Sequence, residues 1–380
     1  MGEAKIVSIE WATLEGTRPR SAGCNARLGV HGQTVRVPLA RITTDDGAQG
    51  FGASTAKVTD ASALLGCTLT ELWDHEQGTT QTGRALDFAL WDLMAKRANK
   101  PVYALAAEMA SAVVLEPLRT PCYDTSLYMD DLHLEDDDEA AALIADEARF
   151  GLAQGHRAFK IKVGRGARHM AQDDGLRRDV AVVRAVRDVA GNDAPIMLDA
   201  NNGYNLNLTQ QVLAETADSD VLWMEEPFHE DSVLYIELHE WMAARGLETL
   251  IADGEGDASP GLLAWAQDGI VDVVQYDIIS YGFTPWLALG RKLDTWNARS
   301  APHNYGRYYG NYASCHLSAA VRGFTFTEWD EAITPGLDPS AYTIDDGEVT
   351  VPALPGFGLG LEEDVFEQAV RENGYTLTWT

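Results

Sequence analysis

The sequence is poor in cysteine, poor in basic residues and free of long apolar runs. Its 380 residues hold 4 cysteines, Cys24, Cys67, Cys122 and Cys315, and none belongs to a C-x-x-C pair. Scattered thiols argue against a disulfide frame and a zinc site, and fit a reducing compartment. Lys and Arg total 29 against 58 Asp and Glu, a formal net charge of −29. A field of that sign repels nucleic acid and anionic membrane surfaces, so neither is expected as a partner. No apolar stretch approaches the ~20 residues of a membrane span. The opening MGEAKIVSIEWATLEG lacks the charged-then-apolar layout of a signal peptide. A cytoplasmic protein is expected. An anionic substrate would have to be drawn in by a local cluster of cations or by a metal, because the global field repels it.

What the chain does contain is alternation. From about residue 120, short apolar runs are followed by amphipathic helical stretches. The runs are CYDTSLYM (122–129), AFKIKV (158–163), APIMLDA (194–200), VLWMEE (221–226), TLIADGE (249–255), VDVVQYDI (271–278), RSAPHN (299–304) and FTFTEW (324–329). Helical patterns between them include 138–155, 175–191, 232–247 and 310–323. Strand–helix alternation implies a parallel sheet, and eight runs suit a closed (β/α)8 (TIM) barrel. The acidic run Glu135–Glu139 opens one of these helices, where negative charge is favourable. The first part differs. VRVPLARITTDDGAQGFGAS reads as antiparallel strands, and GRALDFALWDLMAKRANKPVY (83–103) as a helix stopped before Pro101. The expected division is an α+β capping domain over 1–118, a barrel over 119–350, and a C-terminal segment, 351–380, that returns to the cap.

Ionisable residues cluster at the C-terminal ends of the runs. They are Lys160 and Lys162, then Asp199 and Asn201, Glu225 and Glu226, Asp253 and Glu255, Asp277, His303 and Glu328. That end of a (β/α)8 barrel carries the active site, with groups contributed by different strands. Asp199, Glu225 and Glu255 supply hard oxygen donors suited to Mg²⁺. Asp253 could replace Glu255; Glu255 is preferred because it ends its run. Lys160 and Lys162 are two residues apart and so share one face of a strand. A second ammonium together with burial is expected to lower a lysine pKa from ~10.4 toward ~7–8, the range of a general base. Asp277 and His303 fall on neighbouring strands, where a carboxylate can fix an imidazole's tautomer and raise its basicity.

Taken together, K-x-K, D-x-N, E-E-P, G-E and then Asp, His and Glu on the last three strands resemble the enolase superfamily, and within it the mandelate racemase subgroup. The resemblance covers nearly the whole chain, including GRALDFALWDLMAKRANKPVY in the cap and PGFGLGLEEDVF (355–366) in the return. It implies Mg²⁺ bound by Asp199, Glu225 and Glu255. Lys162 would be the base on one face of a carboxylate substrate, and His303, oriented by Asp277, the acid/base on the other. Lys160 and Glu328 would hold the substrate carboxylate as it becomes an ene-diolate, and Asn201 would join them in binding. The implied reaction is removal of the proton α to a carboxylate, foremost in the dehydration of an acid sugar to a 2-keto-3-deoxy acid. Racemisation or epimerisation of a 2-hydroxy acid by the same pair is the alternative. A homo-oligomer acting on a small carboxylate is the family expectation.

The sequence departs from the family where DIISYGFT supplies no lysine shortly after Asp277, which argues against lactonizing activity. Two readings of other classes predict different behaviour. A Schiff-base aldolase needs no metal, and a non-catalytic metal-stabilised barrel exchanges no proton. Arg165, Arg168 and His169, in the loop 164–179, either reach a distal substrate group or face solvent, the reading favoured here. Cap loops near Trp11–Cys24 and Phe51–Thr59 would set specificity, with Trp11, Arg18 and Arg20 as candidates.

Overall fold

The computed structural model of the chain describes residues 3–256 and 258–380. An antiparallel sheet opens the fold: β1 (Ile6–Ala22), β2 (Gly32–Thr44) and β3 (Gln49–Ala53). Its alternating apolar residues, Ile9, Leu14, Val35, Val37, Leu39 and Ile42 among them, are buried against helices of the same region. The helix expected to stop before Pro101 does so. A helix covers Asp87–Arg97, and Pro101 is the N-cap of a second at Val102–Ala110. Proline is tolerated at a helix start because the amide it lacks would be unpaired there anyway.

Eight parallel strands follow: β4 (Arg119–Leu127), β5 (Phe159–Lys162), β6 (Ile196–Asp199), β7 (Val221–Glu225), β8 (Leu250–Asp253), β9 (Val273–Val274), β10 (Arg299–Ser300) and β11 (Thr327–Trp329). Each pairs with its sequence neighbour from β4 to β10, and β11 pairs back onto β4. Between β10 and the approach to β11 there is one isolated parallel bridge, Ser300 to Phe324. Strands β9 and β10 are much shorter than their apolar runs, so Asp277 does not end a strand. It is the N-cap of the helix Ile278–Tyr281, accepting a hydrogen bond from the Ser280 amide at 2.6 Å. The acidic run behaves as read: Asp136 caps the helix Asp137–Ala153 by accepting from the amides of Asp138 and Glu139.

The strands sort their side chains by alternation. Tyr123, Met197, Trp223, Ala252, Val273 and Ala301 form one buried cluster, while Phe159, Ile161, Val163, Ile196 and Leu198 belong to the larger core that includes helix residues such as Ile144, Val182 and Val186. At the far end of the chain, β12 (Tyr375–Thr378) adds to the edge of β1 in the first sheet. Among the described residues, no helix is long and apolar enough to cross a membrane.

Arg165 contradicts its expectation. It is fully buried and neither faces solvent nor points at a ligand. Its guanidinium contacts Asp131 Oδ1 at 2.6 Å and Asp179 Oδ1 at 2.7 Å, and donates to the Lys162 carbonyl at 3.1 Å. This pins the loop that leaves β5 just after the second lysine. Removing one member of a buried ion cluster strands the others, at a cost of about 3–5 kcal/mol. Arg165→Met is therefore expected to lower the urea midpoint steeply, and an unchanged midpoint would refute this bracing role.

Candidate active site

The site grows from β5. Lys160 and Lys162 share one side of that strand and are both buried. The Lys160 Nζ lies 2.6 Å from Glu225 Oε1, 2.8 Å from Glu328 Oε1 and 3.5 Å from Asp199 Oδ2. Lys162 makes a close ion pair with Asp199 Oδ2. Its ammonium also lies 5.2 Å above the Tyr128 ring, and that of Lys160 lies 5.4 Å from the Tyr123 ring.

Asp199, Glu225 and Glu255 bring one carboxylate oxygen each within 4.8 Å of one another. These oxygens come from the ends of β6 and β7 and from the segment after β8. Trp223 Nε1 and Gln275 Nε2 donate to Glu225 Oε2 at 3.1 and 2.8 Å. The Asn201 amide donates to Asp199 Oδ1 at 2.9 Å, and its side-chain nitrogen lies 3.3 Å from Glu255 Oε1. Glu255 Oε2 is buried without an aligned hydrogen bond, 3.1 Å from His303 Nε2. Converging hard oxygens from three carboxylates fit a divalent cation such as Mg²⁺. Asp253 stays outside the cluster. It accepts from the Gly254 amide at 2.6 Å and from the Tyr235 hydroxyl.

His303 joins the group from the segment after β10. Its Nδ1 lies 3.1 Å from Asp277 Oδ2, and its Nε2 lies 4.0 Å from Glu328 Oε2. Glu328 is fixed by the Thr125 hydroxyl and the Asn304 amide, each at 2.6 Å. The residues singled out at the ends of the runs thus meet in one place, apart from Asp253, with Glu226 Oε2 at the edge, 3.4 Å from Asn201 Nδ2. Asn201 braces the carboxylates, while its Oδ1 is buried without a partner.

Burial pushes Glu225 up to about 8 against the pull of Lys160, and the neighbouring Asp199 and Glu255 add to the rise. Burial lowers His303, but Glu255, Glu328 and the hydrogen bond to Asp277 outweigh it and lift the imidazole to about 10. The expected lowering of Lys162 is not found. Burial and Lys160 do push it down, as anticipated, but the Asp199 carboxylate overrides them and raises it. A cation held by the three carboxylates would weaken that field, because its own charge is the largest in such a site.

Sequence reasoning overlooked an aromatic wall beside these groups. Tyr128 stacks on Tyr305 at 4.7 Å, His31 meets both rings edge-on, and the Arg18 guanidinium lies 4.3 Å over Tyr305. Tyr305 follows His303 by two residues, the one signal that could have drawn it in. Arg18 is held by Asp330 at 2.8 Å, and Arg20 by Asp130 at 2.6 Å and Glu147 at 3.2 Å. Trp11 Nε1, on β1, donates to the Ser54 carbonyl just after β3. His169 Nε2 lies 2.8 Å from the Asn25 carbonyl, and Arg168 donates to the Arg27 carbonyl. These two therefore tie the loop after β5 to the segment between β1 and β2 rather than reaching the carboxylates, and Arg168 is exposed, as expected. A cavity of about 520 Å³ lies against His303, Asp277, Tyr305 and Arg307.

Eight parallel strands carrying a lysine pair, three carboxylates and a His–Asp pair on one end define an enolase-type site. Residues 143–365 match the family described as Enolase C-terminal domain-like, and the chain belongs to that family within the enolase superfamily. It is similar to a galacturonate dehydratase from Geobacillus sp., solved with D-galacturonate and 5-keto-4-deoxy-D-galacturonate. The two are 49% identical, with a TM-score of 0.94 over 99% of each chain. A mandelate racemase/muconate lactonizing protein from Geobacillus sp. Y412MC10, solved with magnesium and tartrate, is also 49% identical. Its TM-score is 0.96, over 100% of this chain and 98% of the other. Arabinonate dehydratase of Saccharolobus solfataricus is 26% identical over 90% of this chain and 92% of its own length.

Proposed function

We propose that this chain is a Mg²⁺-dependent acid-sugar dehydratase, with D-galacturonate as the first substrate to test. The observation that carries the reading is the meeting of a buried lysine pair, a three-carboxylate cluster and a His–Asp pair in one site. The similarity to the Geobacillus dehydratase supports the choice of substrate.

Losing the proton α to a carboxylate places two negative charges on one group, which water stabilises poorly. Mg²⁺ held by Asp199, Glu225 and Glu255 would supply positive charge at that point. Lys160 adds a fixed ammonium beside the same position. Lys162 takes the α-proton onto Nζ, the C–H electron pair becomes the ene-diolate, and the β-hydroxyl leaves as water with a proton from His303 Nε2. Tautomerisation gives a keto group next to the carboxylate and a methylene beyond it; for galacturonate this is the 5-keto-4-deoxy acid. Asp277 holds the imidazole through Nδ1, Glu328, kept ionised by Lys160 and His303 against its burial, fixes the Lys160 ammonium that faces the substrate carboxylate, and Asn201 orients the cation's ligands and the substrate.

In this reading the eight strands close into a (β/α)8 barrel, supported by the Ser300–Phe324 bridge. Residues 1–118 and 351–380 make up the cap, supported by the pairing of β12 with β1. A cytoplasmic homo-oligomer acting on a small carboxylate completes the proposal.

The test is ¹H NMR of the Mg²⁺-loaded protein with D-galacturonate in D₂O. Loss of the α-proton signal with growth of the deoxy-keto acid is expected. Deuterium at the α-carbon without loss of water would replace this reading with epimerisation. No change with galacturonate or a panel of other acid sugars would favour the non-catalytic barrel.

A further inference from the structure

Away from the carboxylates, a second cavity of about 800 Å³ lies between the cap segment Asp74–Arg84 and the helices around Tyr281–Lys292. Its charge balance inverts that of the chain. The whole sequence has 29 basic against 58 acidic residues, whereas this cavity is lined by Arg84, Arg291 and Lys292 against Asp74 alone. Among the described residues, none of these three cations has a carboxylate within 4.0 Å. With acids so abundant, three cations without a carboxylate partner around one space are a marked exception; Arg84 donates from Nη2 to the Thr79 carbonyl at 3.2 Å, and the Lys292 ammonium lies 4.8 Å over the Trp296 ring. Asp74 is already engaged, accepting from the amides of Glu76 and Gln77 at 2.7 and 2.9 Å.

The Nε atoms of Arg84 and Arg291 are both buried and without a hydrogen-bond partner. Buried donors are normally satisfied, and like charges sharing a cavity repel unless an anion joins them. Asp87 lies within the field of Arg84, but its two oxygens accept from the Thr284 hydroxyl and amide at 2.6 and 2.9 Å. The rest of the wall is mixed, with Leu263, Leu287, Pro285 and the Tyr281 ring on the apolar side.

We propose that this cleft is a binding site for a small dianion, a phosphate monoester or a dicarboxylate. Two guanidinium forks match either group's paired oxygens, and Lys292, on the exposed rim, adds a mobile point charge. The apolar wall would take the ligand's carbon skeleton. Tyr281 also lines the cavity beside His303, so a bound anion would rest against the short helix that Asp277 caps.

Titration of the Mg²⁺-loaded protein with inorganic phosphate, followed by ³¹P line broadening, and with succinate, followed by calorimetry, tests the site. Saturable phosphate binding is expected, weakened at least tenfold in Arg291→Gln/Lys292→Gln and unaffected in Lys162→Ala. Binding of phosphate alone would assign the site to phosphate monoesters, and binding of both ions to dianions in general. The proposal is overturned if the double variant binds as tightly, if Lys162→Ala abolishes binding, or if neither ion binds. It is also overturned if Lys292→Glu, a change at an exposed position, splits an oligomer in sedimentation while no ion binds, since the cations would then serve a subunit contact. Arg84→Gln is a second reporter should the double variant fail to fold, with thermal unfolding as the control. Galacturonate turnover does not enter this readout, so failure here and failure of the dehydratase reading are separable.

Discussion

Lys162→Ala is expected to abolish both α-proton exchange and dehydration, whereas His303→Asn is expected to keep exchange and lose dehydration. The split follows from the order of proton movements. Taking the α-proton needs a base at Lys162 and charge stabilisation from Lys160 and the carboxylate-bound cation, none of which involves the imidazole. Expelling the β-hydroxyl needs an acid, and Asp277, through its contact with Nδ1, favours the protonated imidazole of His303. A positioned acid or base contributes about 10²–10⁴ in rate, and a fall of about 10³ is expected for each lost step. Following the substrate α-proton in D₂O separates the two reactions. Exchange that survives in Lys162→Ala but vanishes in His303→Asn would reverse the assignment. Asp277→Asn should resemble His303→Asn in a milder form, because Asp277 acts only through Nδ1.

The second large effect is at the carboxylates. Asp199→Asn, Glu225→Gln and Glu255→Gln are each expected to weaken Mg²⁺ binding by about 10²-fold or more, at the upper end of what supporting groups of metal sites cost, and to silence turnover. Asp253→Asn is the control and should leave Mg²⁺ affinity within about threefold, since its oxygens face Gly254 and Tyr235. Calorimetric titration with Mg²⁺ reads both. A loss at Asp253 equal to that at Glu255 would show that the ligand set has been drawn wrongly.

The contrast between Asp253 and Glu255 shows how much of this site is legible in one dimension. One charged residue ending an apolar run can be a loop start or a helix cap, but ionisable groups at the ends of successive runs form a clear signal together. Asp199, Glu225 and Glu328 were read in that way and meet in space. Strand length was less legible. β9 and β10 hold two residues each inside runs of eight and six, because apolar composition does not tell a hydrogen-bonded strand from the buried loop that follows it. The ammonium of Lys162 shows a different limit. The sequence places Lys160 beside it, and that neighbour does act downward, but the larger effect comes from Asp199, 37 residues away on the next strand. Arg165 meets the same limit: its two partners, Asp131 in the turn after β4 and Asp179 inside the helix Gln172–Ala190, come from different elements, and nothing local marks them.

The pairing of β12 with β1 has a consequence for how the molecule comes into being. Ser8 lies opposite Thr378, a separation of 370 positions (378 − 8). On the ribosome β1 emerges with one edge bare and keeps it so until the residues of β12, 370 positions later (378 − 8), have been made. Bare edges recruit foreign strands, and contacts this distant in sequence form slowly. The long wait makes β1 the segment on which a chaperone has most to gain by binding early, and the one whose exposure a slow translation pause would prolong.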